Sequence, residues 1–337
     1  MPYMKKIAIN GLGRIGRLIL RHFLTKASGQ IDIVACNDLT PVEDIAYLLK
    51  YDSVHGRCPV ELSCKDNKIE SGQKSIEYFS IKDPAELPWK NLGVDIVLEC
   101  TGFFNRREGA SKHLEAGASH VIISAPSKDA DLTCVFGVNE QKFEPQSHTV
   151  ISNASCTTNA LAPVLKVLHE NFIIENAMAT TIHAYTATQA LVDRYSKKRR
   201  RGRAAALSLI PTSTGAAGAI TKVLPELVHK VAAVAVRAPV PDGALVDITA
   251  QVQKEVTVED VNDVFVRAAE SSMQHILQCS EEGLVSADII GNTHSAIIDT
   301  LLTDVLQQKV VKVMAWYDNE AAYARRMLDL AAYIAHI

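Results

Sequence analysis

The sequence predicts an α/β protein of two domains, the first built on a parallel sheet and the second an α+β domain with a mostly antiparallel sheet. In the first half, apolar strand-like runs alternate with helix-like runs, which is typical of a parallel sheet covered by helices on both faces. The second half has longer strand-like runs, such as AMATTIHAYTA at 177–187. With 337 residues, the chain is long enough for two separate hydrophobic cores.

The first domain opens with a predicted strand–helix–strand unit. KKIAING at 5–11 is a short apolar run, LGRIGRLILRHFLTK at 12–26 has the spacing of a helix, and QIDIVACND at 30–38 is a second apolar run. The alternation continues with a predicted strand at 94–102, a helix at 108–118 and a strand at 120–126. Such an order places successive strands side by side in a parallel sheet.

The pattern changes after Cys156. KVAAVAVRAPV at 230–240 and ALVDITAQVQ at 244–253 predict long strands, whereas VEDVNDVFVRAAESS at 258–272 predicts a helix. The last run, 320–337, predicts a helix with apolar residues on one face. These elements account for the predicted α+β domain.

Composition and charge exclude several classes of protein. Hydrophobic residues make up 47% of the chain and no apolar run approaches the length of a membrane span, so we expect no membrane partner. The formal net charge of −3 gives no general attraction to nucleic acid. Seven cysteines, an odd number without a CxxC pair, argue against a disulfide framework or a zinc site. Because no cleavable signal peptide is visible, we expect a cytoplasmic protein. The spacing of the cysteines leads us to expect no bound metal.

A glycine-rich turn lies between the first predicted strand and helix. Gly11, Gly13 and Gly16 have the G-x-G-x-x-G spacing of dinucleotide-binding Rossmann domains. There the glycines allow a tight turn, the approach of a pyrophosphate, and close packing of the helix on the sheet. Asp38 ends the second strand, where an acidic residue binds the adenosine ribose hydroxyls and repels the additional phosphate of NADP. The pattern therefore predicts NAD as the cofactor.

The segment SNASCTTNA at 152–160 places Cys156 among small hydroxyl and amide side chains, directly before a helix-like run. A helix start favours anions, so we expect a lowered pKa for this thiol and a nucleophilic role. A nucleophilic cysteine needs a basic partner, for which the chain offers eleven histidines. His183, within the strand-like TTIHAYTATQ, is the strongest candidate.

Two further features indicate anion binding. Arg237 is a charged residue within the apolar run VAVRAPV, and either a phosphate ligand or a buried ion pair would explain it. Thr214 and Gly215, in IPTSTGAAG, offer a hydroxyl and an accessible backbone N–H, which are groups that cradle phosphates. The pattern alone leaves both explanations of Arg237 open.

Nine motifs follow one another along the chain: INGLGRIGR, LLKYDSVHG, ECTG, ISAPSKDAD, SNASCTTN, HAYTATQ, RAAA, IPTSTGAAG and WYDNE. Over nearly its whole length the chain thereby resembles the phosphorylating glyceraldehyde-3-phosphate dehydrogenases. The resemblance implies a homotetrameric oxidoreductase of glycolysis or gluconeogenesis, which converts glyceraldehyde 3-phosphate, NAD and inorganic phosphate to 1,3-bisphosphoglycerate. It also implies an NAD-binding Rossmann domain at 1–155, a catalytic domain at 156–319, and a helix at 320–337 that packs back on the first domain.

The resemblance implies a role for each member of the site. Cys156 is the implied nucleophile, which forms a thiohemiacetal and then a thioester, and His183 is its base. The implied ligands of the substrate phosphate are Thr186 and Arg237, and those of inorganic phosphate are Ser155, Thr157, Thr214 and Gly215, with Arg203 close to them. The implied cofactor ligands are Asn10, Gly11, Gly13, Arg14, Ile15, Asp38, Lys82, Thr101, Ser124 and Asn319, of which Asn319 holds the nicotinamide carboxamide.

Four segments depart from the family pattern. They are Ala160 in place of a second cysteine, Ala321-Ala322 after WYDNE, PDGA at 241–244 near a subunit interface, and Arg194-Tyr195 in a subunit-contact loop. Arg194 favours some use of NADP, whereas Asp38 opposes it through charge repulsion, so we expect a preference for NAD. The basic run SKKRRRGR at 196–203 lies in the same loop, and we expect it to contact a neighbouring subunit rather than nucleic acid.

Two alternative functions share these features. Erythrose-4-phosphate dehydrogenase has the same fold, cysteine and histidine, and Tyr195 slightly favours it, but Thr186, Thr214 and Gly215 favour the glyceraldehyde-3-phosphate enzyme. A non-catalytic homologue that senses oxidants or binds RNA would keep the fold but lose members of the site. Here the nucleophile, the base, the phosphate ligands and the fingerprint are all present, which favours the enzyme.

Overall fold

The computed structural model describes residues 4–26 and 30–337, which form two compact units. Unit 1 contains the described residues up to Ser155 together with Ala324–Ile337, and unit 2 contains Cys156–Tyr323. Within these ranges, none of the helices is both long enough and apolar enough to cross a membrane.

In the described part of unit 1, the strands form a nine-stranded sheet in the order β10-β11-β9-β8-β1-β2-β7-β6-β5, with β3 and β4 paired separately. The strands are β1 (Lys5–Asn10), β2 (Ile31–Asn37), β3 (Tyr51–Asp52), β4 (Gly56–Arg57), β5 (Ser63–Lys65), β6 (Lys68–Ser71), β7 (Lys74–Phe79), β8 (Ile96–Glu99), β9 (His120–Ile123), β10 (Leu132–Thr133) and β11 (Val150–Ser152). The helices are α1 (Arg14–Thr25), α2 (Val42–Lys50), α3 (Trp89–Leu92) and α4 (Arg107–Glu115).

The seven strands from β10 to β7 are all paired in parallel. Their central members are apolar on both faces, as in Ile7, Ile9, Val97 and Ile122, all of which are fully buried. This is the burial expected of a parallel sheet that is covered on both sides, and it confirms the predicted α/β class. The antiparallel strands β5 and β6 at one edge were not predicted, because they are short and polar.

Unit 2 contains a sheet in the order β13-β14-β12-β15-β19-β17-β16, with β18 paired to β19. Its strands are β12 (Ile174–Ala184), β13 (Ile210–Ser213), β14 (Val231–Ala238), β15 (Ala244–Val252), β16 (Leu277–Ser280), β17 (Ala296–Asp299), β18 (Asp304–Leu306) and β19 (Val310–Tyr317). Its helices are α5 (Cys156–Phe172), α6 (Ala216–Val223) and α7 (Val258–Glu270), and it also contains the start of α8 (Ala321–His336).

Most neighbouring strands of the second sheet are antiparallel, as predicted. The exceptions are the parallel pairs β12–β14 and β16–β17. The first of these sets His183 directly opposite Arg237, close to the carboxyl ends of both strands. Two residues that are 54 positions apart in the sequence are thereby brought together by strand register alone.

Candidate active site

The glycine-rich turn of unit 1 joins β1 to α1 and has no room for a side chain at two of its three glycines. Gly11 has a φ of +94°, and a Cβ there would lie 2.6 Å from the Thr101 nitrogen. A Cβ on Gly16 would lie 2.0 Å from the Gly11 oxygen. Gly13 differs, because a Cβ there would meet no atom within 4 Å. The middle glycine therefore presents backbone to open space, as the approach of a pyrophosphate requires.

Asp38 lies beside this turn. Its Oδ2 accepts a hydrogen bond from the Leu12 N–H at 2.6 Å, and its Oδ1 accepts one from the Thr40 N–H at 3.0 Å. Helix α1 begins directly after Gly13 without a side-chain cap from that residue. The Asp38 carboxylate can accept hydrogen bonds from ribose hydroxyls, and the N-terminus of α1 beside it can bind a phosphate.

These elements border a groove of about 770 Å³. The predicted cofactor ligands that line it are Asn10, Gly11, Gly13, Asp38, Lys82 and Thr101. Leu39, Ile81 and Phe103 give it an apolar wall. The Arg14 guanidinium instead forms an ion pair with Asp52 at 2.5 Å, and Ile15 and Ser124 are not in the lining. An open glycine backbone, a carboxylate and an apolar wall together fit a dinucleotide.

Asn319 follows β19 in unit 2. Its side chain is buried, and its Oδ1 meets no hydrogen-bond donor among the described residues. A buried amide oxygen costs free energy until a donor is supplied, and the carboxamide N–H of a nicotinamide is such a donor. The Asp318 carboxylate holds the backbone around it, because its Oδ1 accepts the N–H groups of Glu320 and Ala321 at 2.8 and 2.7 Å.

Cys156 is the first residue of α5, as the sequence predicted for a cysteine at a helix start. The turn before it contains Ala154 with a φ of +55°, a left-handed conformation that costs a non-glycine residue roughly 1–2 kcal/mol. The Ser152 hydroxyl oxygen accepts the Ala154 N–H at 3.1 Å and so supports the turn. The strained turn ends β11 and starts the helix with the cysteine at its N-terminus.

His183 lies against Cys156, with 3.3 Å between Cys156 Sγ and His183 Nε2. Two groups meet the other ring nitrogen: Arg237 Nη1 lies 2.5 Å and the Ala184 carbonyl oxygen 2.7 Å from Nδ1. The carbonyl needs a proton on Nδ1, whereas the guanidinium needs a lone pair there. Arg237 Nη1 also donates to the Ala184 oxygen at 2.8 Å. Because Arg237 serves both acceptors, this arrangement favours the tautomer with its proton on Nε2.

Burial governs the protonation of this pair. It lowers the pKa of His183 to about 3, and the charge of Arg237 acts in the same direction. Burial also raises the pKa of the Cys156 thiol, although Arg237 and hydrogen bonds from Thr157 act to lower it. The predicted lowering of the Cys156 pKa is therefore wrong for this environment, since lost hydration of the thiolate outweighs the nearby positive charge. Both shifts favour the neutral forms, the Cys156 thiol and the neutral imidazole of His183.

Tyr317 belongs to this cluster and was missed by the sequence analysis, although it lies in WYDNE. Its hydroxyl is 3.0 Å from Thr157 Oγ1 and 2.8 Å from Thr181 Oγ1. Its ring packs edge-on against the His183 imidazole, with 6.0 Å between the ring centroids. Tyr317 thus fixes one side of the imidazole and engages the hydroxyl of Thr157, a predicted phosphate ligand.

The other predicted phosphate ligands lie in separate places. Thr214 Oγ1 accepts the Ala216 N–H at 3.2 Å, and Gly215 is the N-cap of α6. Thr186 Oγ1 lies 3.1 Å from Thr188 Oγ1, and the exposed Arg203 pairs with Asp193 at 2.7 Å. Ser155 directly precedes Cys156 and ends unit 1. Contacts of the described side chains therefore group Arg237 and Thr157 with Cys156 and His183, and they leave Thr186 and Arg203 in pairs of their own.

The PDGA departure has a structural consequence. Gly243 has a φ of +82°, and a Cβ there would lie 2.1 Å from the Ser286 oxygen, so this turn requires glycine. Asp242 is almost fully buried, and burial, together with the carboxylates of Asp318 and Glu320, raises its pKa to about 9. A buried carboxyl group with a raised pKa therefore lies next to the segment that carries Asn319.

Known proteins are similar to this chain in both of its units. Residues 5–107 match the family described as glyceraldehyde 3-phosphate dehydrogenase, NAD binding domain, and residues 155–319 match its C-terminal domain. Curated proteins named glyceraldehyde-3-phosphate dehydrogenase are similar over 98% of this chain and 98% of their own length. They include those of Geobacillus stearothermophilus at 53% identity, Priestia megaterium at 52% and Bacillus subtilis at 51%. The chain belongs to the glyceraldehyde 3-phosphate dehydrogenase family, as an NAD-dependent dehydrogenase.

Proposed function

We propose that this protein oxidises glyceraldehyde 3-phosphate with NAD and phosphorylates the product with inorganic phosphate, giving 1,3-bisphosphoglycerate. The observation that carries the proposal is the contact of 3.3 Å between Cys156 Sγ and His183 Nε2 at a helix start, with Arg237 on the far side of the imidazole. A thiol, a base and a cation in this order suit covalent catalysis on a phosphorylated aldehyde.

Cys156 begins the reaction as the nucleophile. Sγ adds to the aldehyde carbon, and the thiol proton passes by way of His183 to the former carbonyl oxygen, so that a thiohemiacetal forms and His183 is left neutral. His183 then accepts the hydroxyl proton while the carbon gives up its hydride, and the product is a thioester on Cys156. NAD, when bound, supplies the hydride acceptor. A phosphate oxygen finally attacks the thioester carbon and the C–S bond breaks. The acyl phosphate leaves, and the proton held by His183 returns to Sγ, which restores the Cys156 thiol.

Arg237 controls when His183 can act as a base. While Nη1 donates to Nδ1, the Nε2 proton faces Cys156 and the ring cannot accept another proton there. The substrate phosphate offers Arg237 a stronger, charge-assisted acceptor. Once Arg237 turns to the phosphate, Nδ1 donates to the Ala184 oxygen and Nε2 becomes the acceptor. Thr186 and Arg237 are the proposed ligands of the substrate phosphate; Ser155, Thr157, Arg203, Thr214 and Gly215 are those of inorganic phosphate.

We assign the cofactor side of the reaction to unit 1 and the chemistry to unit 2, with Asn319 as the ligand of the nicotinamide carboxamide. We also propose a homotetramer, which the exposed apolar side chains of the 191–209 loop support. Leu191, Val192, Tyr195 and Leu207 are each at least 73% exposed, and a single subunit rarely leaves such a patch uncovered. The seven cysteines, all without disulfide partners in the described residues, support a reduced, cytoplasmic location.

The test is NADH formation from glyceraldehyde 3-phosphate and NAD, with and without inorganic phosphate. We expect turnover that requires phosphate and that disappears in Cys156→Ser, whose hydroxyl is a far weaker nucleophile. Erythrose 4-phosphate is the competing substrate. A higher kcat/KM with that aldehyde would move the assignment to erythrose-4-phosphate dehydrogenase, and no turnover with either aldehyde would refute an enzymatic role.

A further inference from the structure

A hydrogen-bonded network of buried side chains lies behind the cofactor groove of unit 1. Trp89 of α3, Glu99 of β8 and His113 of α4 are each at most 1% exposed, and none of them lines the groove. They contact two residues that do line it, Asn10 and Thr101. A buried carboxyl group that the proposed reaction does not use requires an explanation.

The indole of Trp89 fixes the tautomer of His113. Trp89 Nε1 donates to His113 Nδ1 at 3.0 Å, and an indole N–H can only donate. His113 Nδ1 must therefore carry a lone pair, which places the proton of the neutral ring on Nε2. This Nε2–H lies 3.1 Å from Glu99 Oε2 and donates to it. The orientation of the imidazole is thus set at one end by a donor and at the other by an acceptor.

Glu99 receives a donor at every position that its carboxylate offers. Oε2 accepts the His113 Nε2–H and, at 2.6 Å, the Asn10 Nδ2–H. Oε1 accepts the Thr101 N–H at 2.8 Å and the Thr101 hydroxyl. The contact of 3.3 Å between Asn10 Nδ2 and His113 Nε2 joins two donors that share one oxygen. Glu99 therefore connects the buried ring of His113 to Asn10 and Thr101, the two groove residues that it contacts.

These contacts reach the glycine-rich turn itself. The Thr101 nitrogen is the atom that a Cβ on Gly11 would meet at 2.6 Å, so the position of Thr101 sets the space available to the turn. On the other side, Asn10 Oδ1 accepts from Asn37 Nδ2 at 2.8 Å, and Asn37 holds the Ile81 backbone through two further hydrogen bonds. Thr101, Gly11, Asn10 and Ile81 all line the groove.

We propose that Trp89, His113 and Glu99 form a positioning relay for the dinucleotide site. The indole fixes the tautomer of His113, the imidazole fixes the Glu99 carboxylate, and the carboxylate holds Asn10 and Thr101 against the glycine-rich turn. None of the three touches the cofactor. The inference rests on the proposed NAD-binding role of unit 1 and adds residues that act through Asn10 and Thr101.

The experiment measures the Kd for NAD by calorimetry, together with Tm, in the full-length protein and matched variants. His113→Leu removes the donor to Glu99, and we expect the Kd to rise roughly tenfold, as for a buried acceptor that loses its partner. His113→Gln keeps an acceptor for the indole and a donor for Glu99, so its Kd should stay within about threefold of the wild type. Val121→Ala, in the same buried cluster as Trp89 but without a side-chain hydrogen bond, should lower Tm and leave the Kd unchanged.

Each outcome decides a different question. If the wild-type protein does not bind NAD, the proposed function itself fails. If it binds and His113→Leu binds equally well, the relay is refuted. Equal weakening in the Leu and Gln variants, or weakening in Val121→Ala in proportion to its loss of Tm, would show a general effect of stability and also refute it. Should His113→Leu not fold, Trp89→Phe removes the indole donor together with part of a fully buried ring. An increase in Kd larger than its loss of Tm accounts for, with Val121→Ala as the reference, supports the relay; an unchanged Kd, or an increase in proportion to the loss of Tm, refutes it.

Discussion

The network around Glu99 in unit 1 and the cluster around His183 in unit 2 both contain a buried histidine, and they treat it in opposite ways. His113 has one donor at one nitrogen and one acceptor at the other, so a single tautomer satisfies both contacts. His183 has a guanidinium and a carbonyl at the same nitrogen, so its ring can bond to only one of them at a time, and Arg237 then supplies the hydrogen bond to the carbonyl. Arg237 Nε, moreover, is buried without an acceptor among the described residues.

The difference follows from what each region has to do. A binding site gains affinity when its groups already occupy their final positions, because little conformational freedom is then lost on binding. A catalytic base must exchange a proton, and it needs two arrangements that are close in free energy. We propose that the competing contacts at His183 Nδ1 provide them, since movement of Arg237 would change which ring nitrogen carries the proton.

The sharpest separation of the two regions is expected from Cys156→Ala. Turnover should fall by roughly a thousandfold or more, because no other described side chain next to His183 can form the thioester. The Kd for NAD should be unchanged, because the groove is lined by residues of unit 1. Steady-state kinetics and calorimetry on the same preparation measure both. Residual turnover near that of the wild type would remove Cys156 from the proposed mechanism.

His183→Asn should lower kcat/KM by roughly 10²–10³-fold, which is the usual contribution of a general base. The loss should be smaller for single-turnover acylation of Cys156 by an activated ester, because there no hydroxyl proton has to be removed. His169→Asn, in the last turn of α5, is the matched control and should keep its activity. Comparable losses in both variants would contradict the role of His183.

The same variant tests the protonation of His183 through stability. Its pKa of about 3 in the folded protein lies below the ordinary 6.5, so the unfolded chain binds more protons between these values. The free energy of unfolding should therefore decrease as pH falls from about 6.5 toward 3, with a slope of up to about 1.4 kcal/mol per pH unit from this group. Denaturant titrations at several pH values in this range measure the free energy of unfolding. Its decrease with falling pH should be shallower in His183→Asn than in the wild type.

Asp38→Ala tests the dinucleotide groove of unit 1. Loss of the carboxylate removes the partner of the ribose hydroxyls and the repulsion of the NADP phosphate. We expect the ratio of kcat/KM for NAD to that for NADP to fall by roughly tenfold. The rate at which iodoacetamide alkylates Cys156 should not change. An unchanged cofactor ratio would show that another group sets the preference, and Arg194 would be the next residue to replace.

The smallest effect on turnover is expected from Asp242→Asn, which should instead change stability. The pKa of about 9 lies above the ordinary 3.8, so the folded protein holds a proton that the unfolded chain releases between these values. Stability should therefore decrease as pH rises through this range, and the Asp242→Asn variant should be more stable than the wild type by about 1 kcal/mol or more near pH 8. Thermal unfolding at several pH values measures this. An equal pH dependence in both proteins would show that Asp242 is ionised in the fold.

Much of the site was predictable because its chemistry is local in sequence. The G-x-G-x-x-G spacing, with Asp38 after the next strand, needs only one βαβ unit, and this unit formed as expected. Cys156 at a helix start was also predictable from the small polar residues before an apolar helical run. The short polar strands β5 and β6 gave no such signal, because three or four residues carry too little periodicity to distinguish a strand from a loop.

By itself, the sequence determined the α/β class, the glycine-rich turn, the place of Cys156 and, through nine motifs, the family. Only the tertiary structure decided which groups meet the two buried histidines. Strand register places Arg237 opposite His183, and the packing of α3 and α4 together with strand β8 places Trp89 and Glu99 around His113. The tertiary structure also reversed the expected direction of the Cys156 pKa shift, because the free energy of a charge depends on how much water the whole fold removes from it.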